Sequence, residues 1–230
     1  MRVTSPRSAL PAYTVPFVTF VAILALDGAI SYFSKAGSPW WIATPKYWLY
    51  PLQTLVCGLL LAIFWKHYTF KPLRPWALGA AAGVVALALW VSPQAILHFP
   101  PRLDGFNPAV FGNVGWPYEA NLGSRLIRLI VVVPLLEEIF WRGFLMRYLI
   151  RDDFLSVPFG TYRPGAFFGT AAFFMLVHSY PDWPAALVTG LIYNAVAVRT
   201  KSLFACVIAH AVTNAGLGIY ILATRQWGFW

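Results

Sequence analysis

The stretch LIRLIVVVPLLEEIFWRGFLM, residues 126–146, is a long apolar run with two adjacent carboxylates in it. A helix needs about 20 apolar residues to cross the roughly 30 Å hydrocarbon core of a bilayer, so this run can span it. A carboxylate near the bilayer centre costs roughly 2.5 to 3.5 kcal/mol and by default marks a functional site. The chain has three glutamates, and two of them are Glu137 and Glu138. The run therefore predicts a transmembrane helix that carries a functional site.

The composition of the whole chain supports a membrane location. Of the 230 residues, 59% are hydrophobic and 11% are charged, whereas a soluble domain is typically about 25% charged. We therefore predict an all-α fold, a polytopic transmembrane helical bundle. Apolar runs closed by Pro, Gly and charged residues give about seven candidate spans, near residues 14–34, 47–65, 76–97, 125–147, 164–180, 184–199 and 202–222.

Lys and Arg are unevenly divided between the predicted loops, and this predicts the orientation. With the N-terminus inside, the cytoplasmic segments hold Arg2, Arg7, Lys66, Lys71, Arg74, Arg147, Arg151, Arg163, Arg199 and Lys201. The opposite side holds Lys35, Lys46, Arg102, Arg125, Arg128 and Arg225. We therefore expect a cytoplasmic N-terminus, an extracytoplasmic loop over residues 98–124, and a multi-pass protein of a prokaryotic cytoplasmic membrane.

The formal net charge of +9 does not indicate a nucleic-acid partner. The basic residues are spread over short loops beside the spans and form no stripe with interleaved aromatic residues. The partners we expect are the lipid bilayer and a peptide or membrane-associated protein substrate. Cys57 and Cys206 lie inside apolar spans and indicate no disulfide framework. Asp27, a lone acid in the first span, is assigned no role.

The polar residues of the last spans have helical spacing. Glu138 and Arg142 are four residues apart, so they share a helix face and can form an ion pair. Glu137 is turned roughly 100° away from Glu138 and stays available for chemistry. His210 and Asn214 are also four apart on the last span.

His178 follows Phe174 by four residues on the fifth predicted span. Counting about 1.5 Å per residue from the nearest cytoplasmic base places Glu137, His178, His210 and Asn214 at mid-membrane depth. These four side chains could therefore converge on one polar pocket. A carboxylate beside an imidazole can deprotonate a water, and an imidazole with an amide can stabilise an oxyanion. Together these groups are the parts of a peptidase.

The three segments also resemble a known family. EEIFWR (137–142), FMLVH (174–178) and HAVTN (210–214) are similar to the E-E-x-x-x-R, F-x-x-x-H and H-x-x-x-N motifs of the CPBP, or Abi, intramembrane proteases. That group includes the type II CAAX prenyl endopeptidases and bacteriocin-processing relatives. The resemblance covers roughly residues 120–222. It divides the chain into N-terminal transmembrane helices with the extracytoplasmic loop, 1–120, and a CPBP-like catalytic helical core, 121–230, within a single membrane domain.

The resemblance implies a role for each matching residue. Glu137 and His178 would activate the water, and His210 and Asn214 would form the oxyanion hole. Glu138 and Arg142 would support the site. It also implies an all-helical membrane fold with a cavity open toward one side, proteolysis near the membrane, and no metal cofactor.

Other readings of the same residues stay open. Glu137, His178 and His210 could hold a zinc ion with a water, although no H-E-x-x-H spacing is present. Cys206, four residues before His210, could form a Cys–His nucleophilic pair. A non-catalytic membrane scaffold or immunity-type protein with the same fold, and a proton-coupled transporter, are the alternative functions. Substrate identity and oligomeric state are also open.

Overall fold

The computed structural model describes residues 6–112 and 114–230. Within these ranges the protein is built from helices and loops, with no strand, which confirms the predicted all-α class. Of the bases used to predict the orientation, Arg2 lies outside the described residues. The long helices outside the fourth one are α1 (Pro6–Phe33), α2 (Lys46–Phe64), α3 (Trp76–Ala95), α5 (Pro164–Leu176), α6 (Trp183–Thr200) and α7 (Leu203–Thr224).

The fourth helix, α4, is irregular and carries the two central glutamates. Its α-helical segments are Trp116–Ile127, Val133–Glu138 and Met146–Tyr148, joined by π-helical turns at Arg128–Val132 and Ile139–Leu145. Such wide turns inside helices are frequent at functional sites. The segment Val133–Glu138 is therefore a short α-helical stretch held between two π-helical turns.

Several predicted boundaries differ from the structure. The fourth span begins at Trp116 and not near 125, so part of the predicted loop 98–124 is helical. Gly115, with a φ of 89°, precedes Trp116, and Pro117 lies in the first turn, where its missing N–H costs nothing. The fifth helix ends at Leu176 and not near 180, because Ser179 is extended.

The protein is an integral membrane protein. Among the described residues, four helices are long and apolar enough to cross a bilayer: Ala9–Phe33, Lys46–His67, Trp76–Ala95 and Leu203–Thr224. The helices α4, α5 and α6 are shorter or more polar but pack against these in the same bundle. The total of seven crossings stays a prediction.

Close packing of α3 against α7 fixes the helix that carries the third motif. A Cβ added to Gly79 would lie 2.2 Å from the carbonyl oxygen of Ala205, and one added to Gly83 would lie 2.4 Å from that of Ala209. Small residues at such contacts let membrane helices approach closely. The Thr213 hydroxyl also donates to the Gly83 carbonyl at 2.9 Å. These contacts hold α7 in one rotation, which sets the direction of His210 and Asn214.

Candidate active site

A cavity of about 530 Å³ lies among α3, α4, α5, α6, α7 and the C-terminal residues. Pockets that bind small molecules or peptide side chains are typically about 300 to 1,000 Å³. The structure brings four of the sequence-predicted site residues together on its walls: Glu137, His178, His210 and Asn214. Aromatic side chains complete the lining, among them Trp90, Phe174 and Tyr193. The cavity therefore combines an apolar wall with a few converging polar groups.

Glu137 lines the cavity from the α-helical segment between the two π-helical turns of α4. Its residue exposure is 8%, and its Oε2 atom is buried without a hydrogen-bond partner among the described residues. A buried carboxylate oxygen normally has a donor, because leaving it unpaired costs free energy. Oε2 itself has almost no accessible surface, so the oxygen of Glu137 that can accept a hydrogen bond from a water or a substrate in the cavity is Oε1.

Glu138, next to it, does not line the cavity and is fully buried. Its Oε1 accepts a hydrogen bond from the Arg142 guanidinium at 3.0 Å, which is the ion pair that the four-residue spacing predicts. The same oxygen lies 2.8 Å from Nδ1 of His210 on α7. Since a carboxylate accepts, His210 Nδ1 carries the proton of this hydrogen bond. Glu138 therefore orients the His210 ring as well as pairing with Arg142.

Arg142 ties this pair to α6. Its Nε donates to Oδ1 of Asn194 at 3.0 Å, and its second terminal nitrogen donates to the carbonyl of Gly190 at 3.1 Å. The Asn194 amide in turn donates to the Phe167 carbonyl of α5 at 2.7 Å. Sequence reasoning missed Asn194 and Gly190. The signal that could have found Asn194 is a carboxamide within the apolar sequence LIYNAV, since such a group needs partners in a membrane.

His178 lies just beyond the end of α5. The longer predicted span places it inside the helix. Its Nδ1 is 2.7 Å from the carbonyl oxygen of Phe174. A carbonyl only accepts, so Nδ1 carries the hydrogen, and Nε2 of the neutral ring has a free lone pair. The ring centroid lies 4.7 Å from that of Phe174 and 5.7 Å from that of Trp90. These contacts fix the ring at the cavity wall.

Asn214 lies one turn after His210 on α7, so both reach the same wall. One N–H of its amide donates to the Leu129 carbonyl of α4 at 2.8 Å. The amide nitrogen has two hydrogens, so a second donor remains. The bond to Leu129 fixes the amide, and the remaining N–H is available to a bound group.

Two residues singled out in the sequence do not take part in this cavity. Cys206 is fully buried, and its thiol donates to the Ser202 carbonyl at 3.3 Å, while Nδ1 of the neighbouring His210 is bonded to Glu138. Asp27 lies in a separate polar cluster beside Tyr50, whose hydroxyl is 3.5 Å from its Oδ2. Within the part of the chain that the structure describes, no three His, Cys, Asp or Glu residues are arranged to share a metal ion.

The fold and the cavity define a helical integral membrane protein with a polar site buried among its last five helices. Residues 119–216 of the chain match the family described as type II CAAX prenyl endopeptidase Rce1-like. All three motifs lie inside the matched region, so the resemblance drawn from them is confirmed. No curated protein and no solved structure matched the chain.

Proposed function

We propose that this protein is a membrane-embedded endopeptidase that hydrolyses a peptide bond with an activated water. The observation that carries the proposal is the convergence of Glu137, His178, His210 and Asn214 from two helices and one helix end on a single cavity. The Glu137 carboxylate, which lines this cavity, provides a base, and a base of this kind typically contributes about 10² to 10⁴ in rate.

In the proposed reaction a water lies between Glu137 and His178. Glu137 accepts a proton from this water, and the Nε2 lone pair of His178 accepts its second hydrogen bond, so the oxygen can attack the peptide carbonyl. A carbon–oxygen bond forms, and the carbonyl oxygen becomes an oxyanion. The amine then leaves with the proton held by Glu137 as the carbon–nitrogen bond breaks.

Asn214 and His210 stabilise the oxyanion in this scheme. Asn214 supplies its second N–H. His210 donates from Nε2 only when both ring nitrogens carry hydrogen, since Nδ1 already donates to Glu138 at 2.8 Å. The Glu138 carboxylate stabilises that imidazolium form, as a buried acid does for the histidine of a catalytic triad. Arg142 offsets the charge of Glu138, which leaves Glu137 as the base.

The chain offers a matched control for the test. Glu119, the remaining glutamate, lies exposed in the first turn of α4, away from the cavity. Membrane fractions of cells that carry the parent, Glu137→Gln or Glu119→Gln protein are compared by proteomics for cleaved membrane proteins. The parent and Glu119→Gln should give the same cleavage products, and Glu137→Gln should lack them while it accumulates to the parental level. Equal products from all three proteins would contradict the proposal.

A further inference from the structure

Hydrogen bonds group the loops into two opposite ends of the bundle. At one end, here called the basic end, lie residues 65–75, 149–163 and 201–202. The Tyr68 hydroxyl donates to the Ala12 carbonyl at 2.6 Å, and the Ser202 hydroxyl donates to the Pro72 carbonyl at 2.5 Å. Lys201 also donates to the carbonyl of Gly160 at 2.5 Å. These bonds connect every loop of the basic end to its neighbours.

The other end, here called the mouth end, consists of residues 34–45, 96–112, 177–182 and 225–230. The Arg102 guanidinium forms a two-point ion pair with Asp182 at 2.5 and 3.2 Å. The Arg102 backbone N–H donates to Oε1 of Gln226 at 3.1 Å, and Lys46 donates to the Gly105 carbonyl at 2.7 Å. The loops of the mouth end are therefore also joined to one another.

Basic residues are concentrated at the basic end. With the adjoining helix turns, and among residues whose side chains the structure describes, it holds eight: Lys66, Lys71, Arg74, Arg147, Arg151, Arg163, Arg199 and Lys201. The mouth end holds four: Lys35, Lys46, Arg102 and Arg225. Short loops rich in Lys and Arg stay in the cytoplasm, so this excess places the basic end inside.

Two arginines that the sequence assigned to the outer side do not belong to a loop. Arg125 and Arg128 are 2% and 6% exposed, on the inner face of α4. The Nε atom of Arg128 donates to Oε1 of Gln53 at 2.7 Å, and its guanidinium lies over the Tyr50 ring. Because these side chains are buried in the bundle, they do not count as loop residues, and the outer count of six from the sequence falls to four at the mouth end.

The candidate active site opens at the mouth end. Its cavity is lined there by Arg102, Ser179, Asp182 and residues 228–230. The basic end has a cavity of its own, of about 650 Å³, and none of Glu137, His178, His210 and Asn214 lines it.

Buried side chains separate the two cavities. Arg142, Tyr193 and Phe174 are at most 1% exposed, and the last two line the candidate active site. The guanidinium of Arg142 lies 5.1 Å from the Phe174 ring and 5.3 Å from the Tyr193 ring, so the three form one layer. No residue lines both cavities, so the candidate active site and the cavity of the basic end are separate.

We infer that the substrate enters from the extracytoplasmic side of the membrane. That the substrate is a polypeptide rests on the proposed function. The side from which it enters rests on where the cavity opens and on how Lys and Arg are distributed between the two ends. The positions from His210 to Thr224 on α7 span about 21 Å, and those from Asp182 to Tyr193 on α6 about 16 Å. An extended chain covers this depth with roughly five or six residues. The substrate class is thus a membrane or exported protein with an extended segment next to the extracytoplasmic surface of the membrane.

Cysteine accessibility tests directly on which side of the membrane the mouth end lies. The natural cysteines, Cys57 and Cys206, are buried and give little background. Tyr180→Cys places a thiol at an exposed position of the mouth end, and Ser156→Cys places one at an exposed position of the basic end. The full-length variants, expressed in a bacterial cytoplasmic membrane, are treated with a membrane-impermeant maleimide before and after lysis.

We expect Tyr180→Cys to be labelled equally in intact and lysed cells, and Ser156→Cys to be labelled only after lysis. A second pair, Ala36→Cys at the mouth end and Thr69→Cys at the basic end, gives the same answer if one variant folds poorly. The reverse pattern in both pairs would overturn the inference.

Labelling needs no turnover, so the two proposals fail separately. If the mouth end is labelled only after lysis while Glu137-dependent cleavage persists, the orientation is wrong and the peptidase stands. If labelling follows expectation while Glu137→Gln still yields the parental cleavage products, the peptidase is wrong. In that case the cavity still opens outward.

Discussion

Replacing Arg142 with Met puts an apolar side chain on an apolar helix, but it should still lower the free energy of unfolding strongly. The Arg142–Glu138 pair has no exposed side-chain surface, and the change leaves the Glu138 carboxylate buried with only His210 as its partner. Removing one member of a buried ion pair typically costs about 3 to 5 kcal/mol. The change also removes the donors to Asn194 and Gly190. We therefore expect Arg142→Met to lose about 3 to 5 kcal/mol of unfolding free energy.

The measurement is a denaturant titration of purified protein in mild detergent. Arg102→Met is the control, because the side chains of the Arg102–Asp182 pair keep 22% and 14% exposure, so water can solvate the carboxylate left behind and the loss should be smaller. The double variant Glu138→Gln with Arg142→Met should recover part of the lost stability but not the activity, since His210 loses its carboxylate. If Arg142→Met and Arg102→Met lose equal stability, the reasoning from burial is refuted.

Three further predictions concern packing, the oxyanion and the cofactor. Gly83→Ala should lose about 1 to 3 kcal/mol by overpacking against Ala209, and Gly58→Ala, which has open space around it, should lose none; denaturant titration separates them. Asn214→Ala should lower kcat about 10² to 10³-fold in a cleavage assay with little change in KM, and a parental kcat would contradict its role. A chelator should leave the rate of cleavage unchanged; a loss that zinc restores would support the zinc reading.

Much of the fold followed from periodicity and composition. All the helix boundaries at α2, α3, α6 and α7 lie within about two residues of the predicted spans. The larger misses have local causes. The start of α4 is too polar to read as a membrane span, and α5 stops early because the chain turns at His178 and extends at Ser179.

Spacing predicted the local contacts of the site, but not the contacts between helices. The Glu138–Arg142 pair lies within one helix, so its four-residue separation was sufficient. The bond from Glu138 to His210 joins positions 72 residues apart, and no pattern along the chain specifies it. The same holds for Arg142 with Asn194, 52 residues away. These partners changed the picture of Glu138 from a support for Arg142 to the residue that orients His210.

The sequence by itself determined that the chain is a helical membrane protein, and its three motifs indicated the protease family. Those properties depend on hydrophobic periodicity and on residues a few positions apart, which one helix is enough to express. Only the tertiary structure decided that four side chains share one cavity and that this cavity opens at the end poorer in basic residues. The convergence of these side chains and the direction of the cavity depend on how the helices rotate and pack against each other. For α7, the close contacts with Gly79 and Gly83 fix that rotation.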